Sequence, residues 1–536
     1  MTARCLTIIC VAASLRAGAE CPATFAGARR PAVAPWPSWG IDASNTRFAP
    51  ASVSGLKTSD VPKLAVKWAF NLGASVTDAR GQPTVVAGTV FIATTAGDIF
   101  ALDAKSGCTQ WTYKGVGPLH GAVVVGRTAN GRLVAVAGDQ GANVYGLDAF
   151  TGSLLWKEHI DSHLTARVTG SPQIENGVAY LPVSSFEEVM ALAPKYECCS
   201  FRGGVVALDL ASGHTIWKAY TVADSARPTK LSKTGVQLRG PSGAAVWSAP
   251  TIDARRGVLY VATGNNYSDP STLTSDAVLA IDLKTGTVKW SKQVTANDAE
   301  NVGCDIPGKP MCPDADGPDA DFGQPPILVT PASGKQMLVI AQKSGVAYAL
   351  DPDHAGEVLW QARVAKGGRL GGSQWGSASD GRRMYVAASD LVFKPVGDSS
   401  PQHFHMEVTP GVGGGLTALD LMTGTPTWKA PPVLACGDRK RCSPAQSAAV
   451  TVIDGAVFSG SVDGHLRASD ASTGAVLWDF DAARDFATVN GTAAHGGSFD
   501  VGGVAAANGM IFVSSGYGLW GGMPGNALLA FSVGGR

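Results

Sequence analysis

Residues 101–111 read Ala-Leu-Asp-Ala-Lys-Ser-Gly-Cys-Thr-Gln-Trp, an apolar stretch that ends on an aspartate and is followed by a glycine and a tryptophan. The same phrase returns six more times along the chain. Its Asp, Gly and Trp are Asp148, Gly152, Trp156; Asp209, Gly213, Trp217; Asp282, Gly286, Trp290; Asp351, Gly356, Trp360; Asp420, Gly424, Trp428; and Asp470, Gly474, Trp478. A phrase repeated at this spacing predicts a repeat architecture.

The phrase has a direct physical interpretation. An apolar strand ends at the aspartate, the Asp-to-Gly segment forms a hairpin turn, and the next strand carries the tryptophan. Another strand precedes each copy, for example Gly88-Thr-Val-Phe-Ile-Ala-Thr94. Four short strands per repeat make one blade of a β-propeller. The indole ring can fill the gap between two blades, so we interpret the repeated tryptophans as structural.

The chain ends predict how the ring closes. The segment 526–532, Asn-Ala-Leu-Leu-Ala-Phe-Ser, resembles the strand before the turn, but no tryptophan follows it. Trp68 resembles the end of an eighth copy whose beginning is missing. We therefore predict an all-β, eight-bladed propeller whose N- and C-terminal strands share one blade. A solenoid is the alternative, but a closed ring leaves fewer exposed strand edges.

Composition limits the possible partners. The 536 residues are 45% hydrophobic and 16% charged, and 43 Lys and Arg balance 43 Asp and Glu. Without a net positive charge or a basic stripe, the chain is not expected to bind nucleic acid.

The N-terminus has the pattern of a secretory signal. Arg4 precedes an apolar run from Cys5 to Leu15, and Ala17-Gly-Ala19 suits cleavage. The run is shorter than the roughly 20 residues that a membrane span needs. We predict a signal peptide at 1–19, a propeller at 20–536, a periplasmic location and no integral membrane segment after cleavage.

Cysteine spacing agrees with export. Outside the signal, the close pairs are Cys198 with Cys199, Cys304 with Cys312, and Cys436 with Cys442, which leaves Cys21 with Cys108. Even numbers and close pairs favour disulfide bonds in an oxidising compartment. The sequence contains neither Cys-x-x-Cys, with which a zinc site would begin, nor Cys-x-x-Cys-His, with which a c-type haem is attached.

The repeats resemble the tryptophan-docking motifs of quinoprotein alcohol dehydrogenases, which use pyrroloquinoline quinone (PQQ). The opening segment Trp36-Pro-Ser-Trp-Gly-Ile-Asp-Ala-Ser-Asn45-Thr-Arg-Phe48 also resembles the usual entry segment of that family. Similarity to its polyvinyl-alcohol-dehydrogenase-like branch is carried by five further segments, which are Ser184-Ser-Phe-Glu-Glu188, Cys198-Cys-Ser-Phe-Arg202-Gly, Ala249-Pro-Thr-Ile-Asp253, Thr263-Gly-Asn-Asn-Tyr-Ser-Asp-Pro270 and Thr295-Ala-Asn-Asp298. Scaffold propellers share the repeats alone, so the combination is the more specific signal.

The resemblance implies a catalytic calcium site beside PQQ. In the family, a Glu, an Asn and an Asp surround calcium, and the Asp is the general base. The matching residues are Glu188, Asn265 and Asp298, with Glu187 and Asn266 as adjacent alternatives. One departure is that the family's Asp is often followed by an aromatic residue and a second Asp, whereas Asp298 is followed by Ala-Glu-Asn.

The resemblance also implies contacts with the cofactor. Trp247 matches the tryptophan on which the PQQ ring stacks, Lys343 a cation beside the quinone oxygens, and Thr169 a ligand of a PQQ carboxylate. Cys198 and Cys199 resemble the vicinal disulfide that covers the other PQQ face in methanol-type relatives. There the pair precedes the Glu segment, whereas here it follows it, so pairing with other cysteines or a structural role stays open. The family's basic residue after the early Cys pair has no clear counterpart.

We therefore expect a PQQ- and calcium-dependent dehydrogenase that oxidises secondary alcohol groups, possibly those of polyvinyl alcohol. Because the sequence has no haem motif and the blades use nearly all of it, electrons would pass to a separate c-type cytochrome. The alternatives are a non-enzymatic scaffold or ligand-binding propeller and a PQQ-dependent sugar or polyol dehydrogenase.

Overall fold

The structure is a computed structural model, and it describes residues 36–115, 117–193, 195–396 and 405–536. In these residues, eight sheets, each with four antiparallel strands, form the blades of a propeller, and a short fifth strand extends two of them. The predicted fold is confirmed. The predicted signal peptide and Cys21 lie outside the described residues.

Each of blades 1 to 7 contains four strands of one repeat in chain order, and the first strand is the innermost; short additional strands interrupt this order in blades 4 and 6. Blades 1 to 4 consist of Thr84–Val86, Thr89–Ala93, Asp98–Asp103 and Thr109–Lys114; Val124–Arg127, Leu133–Gly138, Asn143–Asp148 and Leu154–His159; Gln173–Glu175, Val178–Ser185, Gly204–Asp209 and Thr215–Tyr220; and Thr251–Asp253, Val258–Ala262, Ala277–Asp282 and Val288–Gln293. Blades 5 to 8 consist of Ile327–Val329, Met337–Ala341, Val346–Asp351 and Glu357–Arg363; Ala378–Ser379, Arg383–Ala387, Leu416–Asp420 and Pro426–Ala430; Thr451–Ile453, Ala456–Gly460, His465–Asp470 and Val476–Asp481; and Ala505–Ala507, Met510–Ser515, Ala527–Val533 and Leu64–Asn71.

The other elements are short and lie in the connections. The remaining strands are Phe48–Ala49, Ala166–Arg167, Arg227–Leu231, Gln237–Gly240, Ser242–Gly243, Asn266–Ser268, Phe393–Val396, His405–Val408, Asp485–Phe486 and Ala494–His495. The α-helices are Ala51–Ser54 and Glu187–Met190, and the 3-10 helices are Thr58–Lys63 and Val302–Asp305. None of these described helices is long and apolar enough to cross a membrane.

The repeated aspartate closes the turn that follows it. Asp103 Oδ1 accepts hydrogen bonds from the backbone N–H groups of Lys105 and Ser106 at 3.1 and 2.9 Å. The Gly107 N–H donates to the Asp103 carbonyl at 2.8 Å, and Gly107 has a φ of 74°, which favours glycine. Because the other copies repeat this pattern, the spacing from Asp to Gly is a requirement of the turn.

The repeated tryptophans join each blade to the next. The Trp111 indole N–H donates to the Ala149 carbonyl at 3.1 Å, and a Cβ at Gly152 would lie 2.6 Å from the Trp111 ring. Trp478 makes the corresponding bond to Leu64, also at 3.1 Å. These tryptophans are therefore structural, as predicted.

The two ends of the chain meet in blade 8. Strand Leu64–Asn71 pairs antiparallel with Ala527–Val533, and Trp68 is the partner of Ala530. The first strand therefore supplies the edge that the last repeat lacks, which closes the ring without a free internal edge.

A central segment, residues 36–49, crosses the inner strands of the ring. Its carbonyl groups accept backbone N–H groups from innermost strands of blades 4 to 7, in the bonds from Ile252 to Ala43, Leu328 to Ser44, Ser379 to Thr46 and Val452 to Arg47. Inner-strand groups that would otherwise be buried without partners are thus satisfied. Trp39 of this segment packs with Tyr517 and Trp375, two residues of the cavity described below.

The three local cysteine pairs are disulfides. Cys198 is bonded to Cys199, Cys304 to Cys312, and Cys436 to Cys442. The expected fourth pair includes Cys21, which the described part of the chain does not contain.

Candidate active site

A cavity of about 180 Å³ lies where the eight blades meet. Every loop that leads into the innermost strand of a blade contributes a lining residue. From blade 1 to blade 8 these are Arg80, His120, Thr169, Trp247, Asp321, Gln374, Ser447 and Asp500. Because each loop enters the ring at an equivalent position, the eight side chains converge although they are distant in sequence.

Asp321 and Lys343 form an ion pair in the cavity wall. Lys343 Nζ lies 2.7 Å from Asp321 Oδ2 and 2.9 Å from Asp319 Oδ1. Burial lowers the pKa of Lys343, but the carboxylates of Asp319 and Asp321 outweigh it and raise this pKa overall. The lysine is therefore a permanent cation at this wall. Asp321 Oδ1 also accepts the Asn265 backbone N–H at 2.6 Å, so both carboxylate oxygens are held in place.

The two adjacent glutamates have different environments. Glu187 accepts hydrogen bonds from Tyr196 Oη at 2.9 Å and from the Ser200 and Phe201 N–H groups at 2.8 and 2.7 Å. Glu188 lines the cavity, and none of the described residues donates a hydrogen bond to its carboxylate. Burial, and then the nearby Asp321 carboxylate, raise the pKa of Glu188 to about 7. Of the two, Glu188 is the one available to a ligand.

The two adjacent asparagines differ in the same way. Asn266 is engaged on both sides, because its amide donates to the Ser242 carbonyl at 2.8 Å and accepts the Thr272 N–H at 2.7 Å. Asn265 lines the cavity, and its Nδ2 donates to the Glu300 carbonyl at 3.0 Å. That bond leaves the Asn265 amide oxygen as an acceptor at the cavity.

Trp247 lies within the cavity and not between blades. Its ring packs edge to face against Trp375, with centroids 5.0 Å apart, and Lys343 Nζ lies 5.5 Å from its centroid. A Cβ at Gly323 would come within 2.3 Å of the Trp247 ring, so the glycine allows this close approach. The indole offers an aromatic surface next to a fixed cation.

The structure places Asp298 outside the cavity lining. Its carboxylate accepts the backbone N–H groups of Asp319 and Ala320 at 3.2 and 2.7 Å. Between Asp298 and Asp319 the chain makes an excursion that contains the Cys304–Cys312 disulfide. The excursion brings Asp321 to the cavity in place of Asp298.

A sequence signal for Asp321 was present. Asp321 is followed by the aromatic Phe322, the neighbour that Asp298 lacks, and the strand Ile327–Val329 begins shortly afterwards. The Thr295-Ala-Asn-Asp298 segment predicted Asp298 as the base, and the long insertion after it places Asp321 more than 20 residues further along the chain.

The vicinal disulfide is buried near the cavity but does not line it. Cys198 and Cys199 belong to the same hydrophobic cluster as Tyr267, and Tyr267 is the cavity-lining member of the three. Thr169 does line the cavity, and its hydroxyl accepts a hydrogen bond of 2.8 Å from Ser184.

Three basic side chains that the sequence analysis did not identify also face the cavity. Arg80 and Arg167 each have a buried Nε without a hydrogen-bond partner. The Arg80 Nη2 atom lies 2.6 Å from His120 Nε2. Burial, followed by the charges of Arg80 and Arg167, lowers the pKa of His120 well below its usual range, so a neutral imidazole can accept this bond.

This set of side chains fits PQQ with a divalent cation. The unpaired Nε groups of Arg80 and Arg167 can bind carboxylates, which PQQ carries. The oxygens of Glu188, Asn265 and Asp321 are the donors that calcium prefers. Trp247 provides a surface for a planar ring.

A family model of dehydrogenases matches the chain. The family model described as "Glucose/ethanol/alcohol dehydrogenase, beta-propeller domain", named PQQ, matches residues 36–366. A model for the outer membrane protein assembly factor BamB matches residues 342–506 and 412–532.

The chain is 41% identical to a polyvinylalcohol dehydrogenase of Pseudomonas sp. and 38% identical to one of Sphingopyxis sp. strain 113P3. In both comparisons the match covers 94% of this chain and 77% of the relative.

Solved structures share the fold. The quinohemoprotein alcohol dehydrogenase of Comamonas testosteroni superposes with a TM-score of 0.68 at 19% identity, covering 94% of this chain and 81% of that one. A europium-containing methanol dehydrogenase gives 0.64 at 19% identity, covering 93% and 98%. With the cavity chemistry and the matched family model, these similarities show that the chain belongs to the family of PQQ-dependent alcohol dehydrogenases.

Proposed function

We propose that the protein is a periplasmic enzyme that oxidises the secondary hydroxyl groups of polyvinyl alcohol. The proposal is supported by the two relatives of that name, whose similarity extends over 94% of this chain. Export is supported by the signal-like N-terminus and by the three disulfides, which favour an oxidising compartment.

In this proposal Trp247 would hold the PQQ ring, and Arg80, Arg167 and Thr169 would bind its carboxylates. Glu188, Asn265 and Asp321 would supply oxygen ligands to calcium. Asp298 has its carboxylate committed to two backbone N–H groups, so we assign the base to Asp321 instead. When bound, PQQ supplies the two-electron acceptor for alcohol oxidation.

The chain's own residues account for proton removal. The Asp321 carboxylate, held by the Asn265 N–H and the Lys343 ammonium, presents its remaining lone pairs to the cavity. A substrate hydroxyl there donates its proton to Asp321 as the carbinol carbon is oxidised.

Electrons leave to a separate protein. The sequence has no Cys-x-x-Cys-His motif, so a covalently attached haem is not available within these 536 residues. We propose a c-type cytochrome that docks transiently, as electron-transfer partners usually do.

The scaffold alternative is less well supported. A propeller without a ligand would gain nothing from burying Arg80, Arg167, Lys343, Glu188 and Asp321 together, because desolvated charges cost stability. Clusters of perturbed ionisable groups in a cavity are typical of active sites. A PQQ-dependent sugar or polyol dehydrogenase would need the same cavity residues, so only substrate tests distinguish it from a polyvinyl alcohol dehydrogenase.

The convergence of Glu188, Asn265, Asp321, Lys343 and Trp247 on one cavity carries the proposal. The test is to reconstitute the purified chain with PQQ and calcium and to follow dye reduction with polyvinyl alcohol, secondary alcohols and sugars. We expect polyvinyl alcohol and secondary alcohols to be oxidised. Bound PQQ without turnover of any substrate would favour the scaffold, and turnover of sugars alone would favour the third alternative.

A further inference from the structure

One sector of the cavity mouth is apolar. Leu370 and Leu391 from the connections around blade 6 line the cavity together with Leu519 and Trp520 from blade 8. Leu519 is 50% exposed and Trp520 37% exposed, so both also reach the surface. The charged lining residues come from other connections, so the lining has an apolar sector and a charged one; they are Arg80, Arg167, Glu188, Asp321, Lys343 and Asp500.

This apolar sector is backed by packing and held by hydrogen bonds. The rings of Trp520 and Phe393 lie 6.3 Å apart at an angle of 38°. The segment that carries Trp520 is held by Asp78, whose Oδ1 accepts the N–H groups of Gly518 and Leu519 at 2.9 and 2.8 Å. The exposed position of Trp520 is thus a fixed feature of the fold.

Exposed apolar side chains in contact with an active cavity favour an apolar ligand. The cavity is too small to enclose both a tricyclic cofactor and a long substrate. A molecule that places one carbinol at Asp321 must therefore leave the rest of its chain outside the cavity, and Leu519 and Trp520 are the large apolar lining residues that are exposed there.

We propose that Trp520 and Leu519, with Phe393 behind them, form an external subsite that binds the hydrocarbon backbone of a long aliphatic substrate next to the carbinol being oxidised. The inference rests on the proposed function, and it names the residues that would make the enzyme prefer long substrate chains to short ones. A sugar or a short alcohol has no long hydrocarbon backbone to place there, so the subsite favours polymeric secondary alcohols.

The test compares Trp520→Ala with the parent, both loaded with PQQ and calcium and assayed with a small dye. Aromatic side chains dominate the binding energy of such surfaces, and we expect kcat/KM for polyvinyl alcohol to fall about tenfold relative to kcat/KM for isopropanol. Trp520→Phe should retain most of the preference. Phe150→Ala is the matched control, since Phe150 is 49% exposed in the turn of blade 2 and is not among the cavity-lining residues.

Calorimetric binding of polyvinyl alcohol to the same loaded proteins separates the two proposals. If the parent binds the polymer and Trp520→Ala does not, the subsite stands even when no substrate is oxidised and the proposed function fails. Equal losses for the polymer and isopropanol would overturn the subsite, as would unchanged polymer binding. A defect seen only with a c-type cytochrome, and not with the dye, would reassign the surface to the electron acceptor and overturn it also.

Discussion

Lys343 donates a hydrogen bond of 2.7 Å to Asp321, and its backbone N–H donates to the Asp321 carbonyl at 3.1 Å. Asp321 precedes strand Ile327–Val329 of blade 5, and Lys343 follows strand Met337–Ala341. Because these two strands are antiparallel, the start of one and the end of the other lie at the same end of the hairpin. The innermost hairpin of blade 5 thus positions the proposed base and its cation together.

The assignment of the base predicts a difference between two aspartates. Asp321→Asn should lower kcat about 10³-fold, because an amide cannot accept the hydroxyl proton. Asp298→Asn should act on stability, costing on the order of 1–3 kcal/mol, since an amide NH₂ would face the backbone N–H groups of Asp319 or Ala320. Steady-state kinetics and thermal unfolding measure the two effects. A larger loss of kcat in Asp298→Asn would restore Asp298 as the base.

Substitution of the adjacent residues Glu188 and Glu187 should have different effects, the first on calcium binding and the second on the stability of a loop. Glu188→Gln removes a charged ligand and should raise the calcium concentration needed for PQQ retention about tenfold. Glu187→Gln should instead destabilise the segment that contains Ser200 and Phe201, which Glu187 holds by hydrogen bonds. To test this, each variant is first treated with a chelator. Calcium is then added back while PQQ binding is followed by absorbance. A stronger calcium effect from Glu187→Gln contradicts the assignment.

Two tryptophans should lose different properties when truncated. Trp247→Ala should weaken PQQ binding about tenfold or more and leave the fold intact, because its ring faces the cavity. Trp111→Ala should lower the free energy of unfolding by about 3–5 kcal/mol, because the ring fills the space between blades 1 and 2. Equilibrium dialysis of PQQ and chemical unfolding are the measurements. If Trp247→Ala retained parental PQQ affinity, its proposed stacking role would be withdrawn.

The buried Asp500 predicts a pH-dependent gain in stability. Burial raises its pKa from 3.8 to about 6 in the folded protein, so the folded state favours the protonated form. This contribution is present below the unfolded pKa and is lost as the pH rises through the folded value. Asp500→Asn should therefore stabilise the cofactor-free protein by on the order of 2–3 kcal/mol at pH 7.5 and by much less at pH 4. Equal effects at both pH values in urea unfolding would show that Asp500 does not titrate in this way.

The electron-acceptor proposal predicts a spectrum. The purified chain should show no haem absorbance and should still reduce an artificial dye when given PQQ, calcium and a secondary alcohol. Adding a soluble c-type cytochrome should support turnover without the dye. A haem spectrum from the isolated chain would refute the division between the two proteins.

Much of the architecture follows from local chemistry that a sequence displays. Asp103 accepts hydrogen bonds from the backbone N–H groups of Lys105, Ser106 and Gly107, all within four residues, so the turn needs Asp and Gly at that spacing. The closing blade could be predicted for a similar reason. The last repeat ends without a tryptophan strand, and the strand that carries Trp68 at the other end of the chain supplies it. The three local disulfides could also be predicted, because their cysteines lie within eight residues of each other in the sequence.

The composition of the cavity was decided only in three dimensions. Glu188 and Glu187 are neighbours in sequence, and the helix Glu187–Met190 turns one toward the cavity and the other toward the loop at Ser200. Asp321 reaches the cavity because the chain between Asp298 and Asp319 leaves the ring and returns. Arg80 and His120 meet because blades 1 and 2 stand side by side around one axis. Repeats specify each blade through contacts of a few residues, whereas the site is formed by residues hundreds of positions apart, which only closure of the ring brings together.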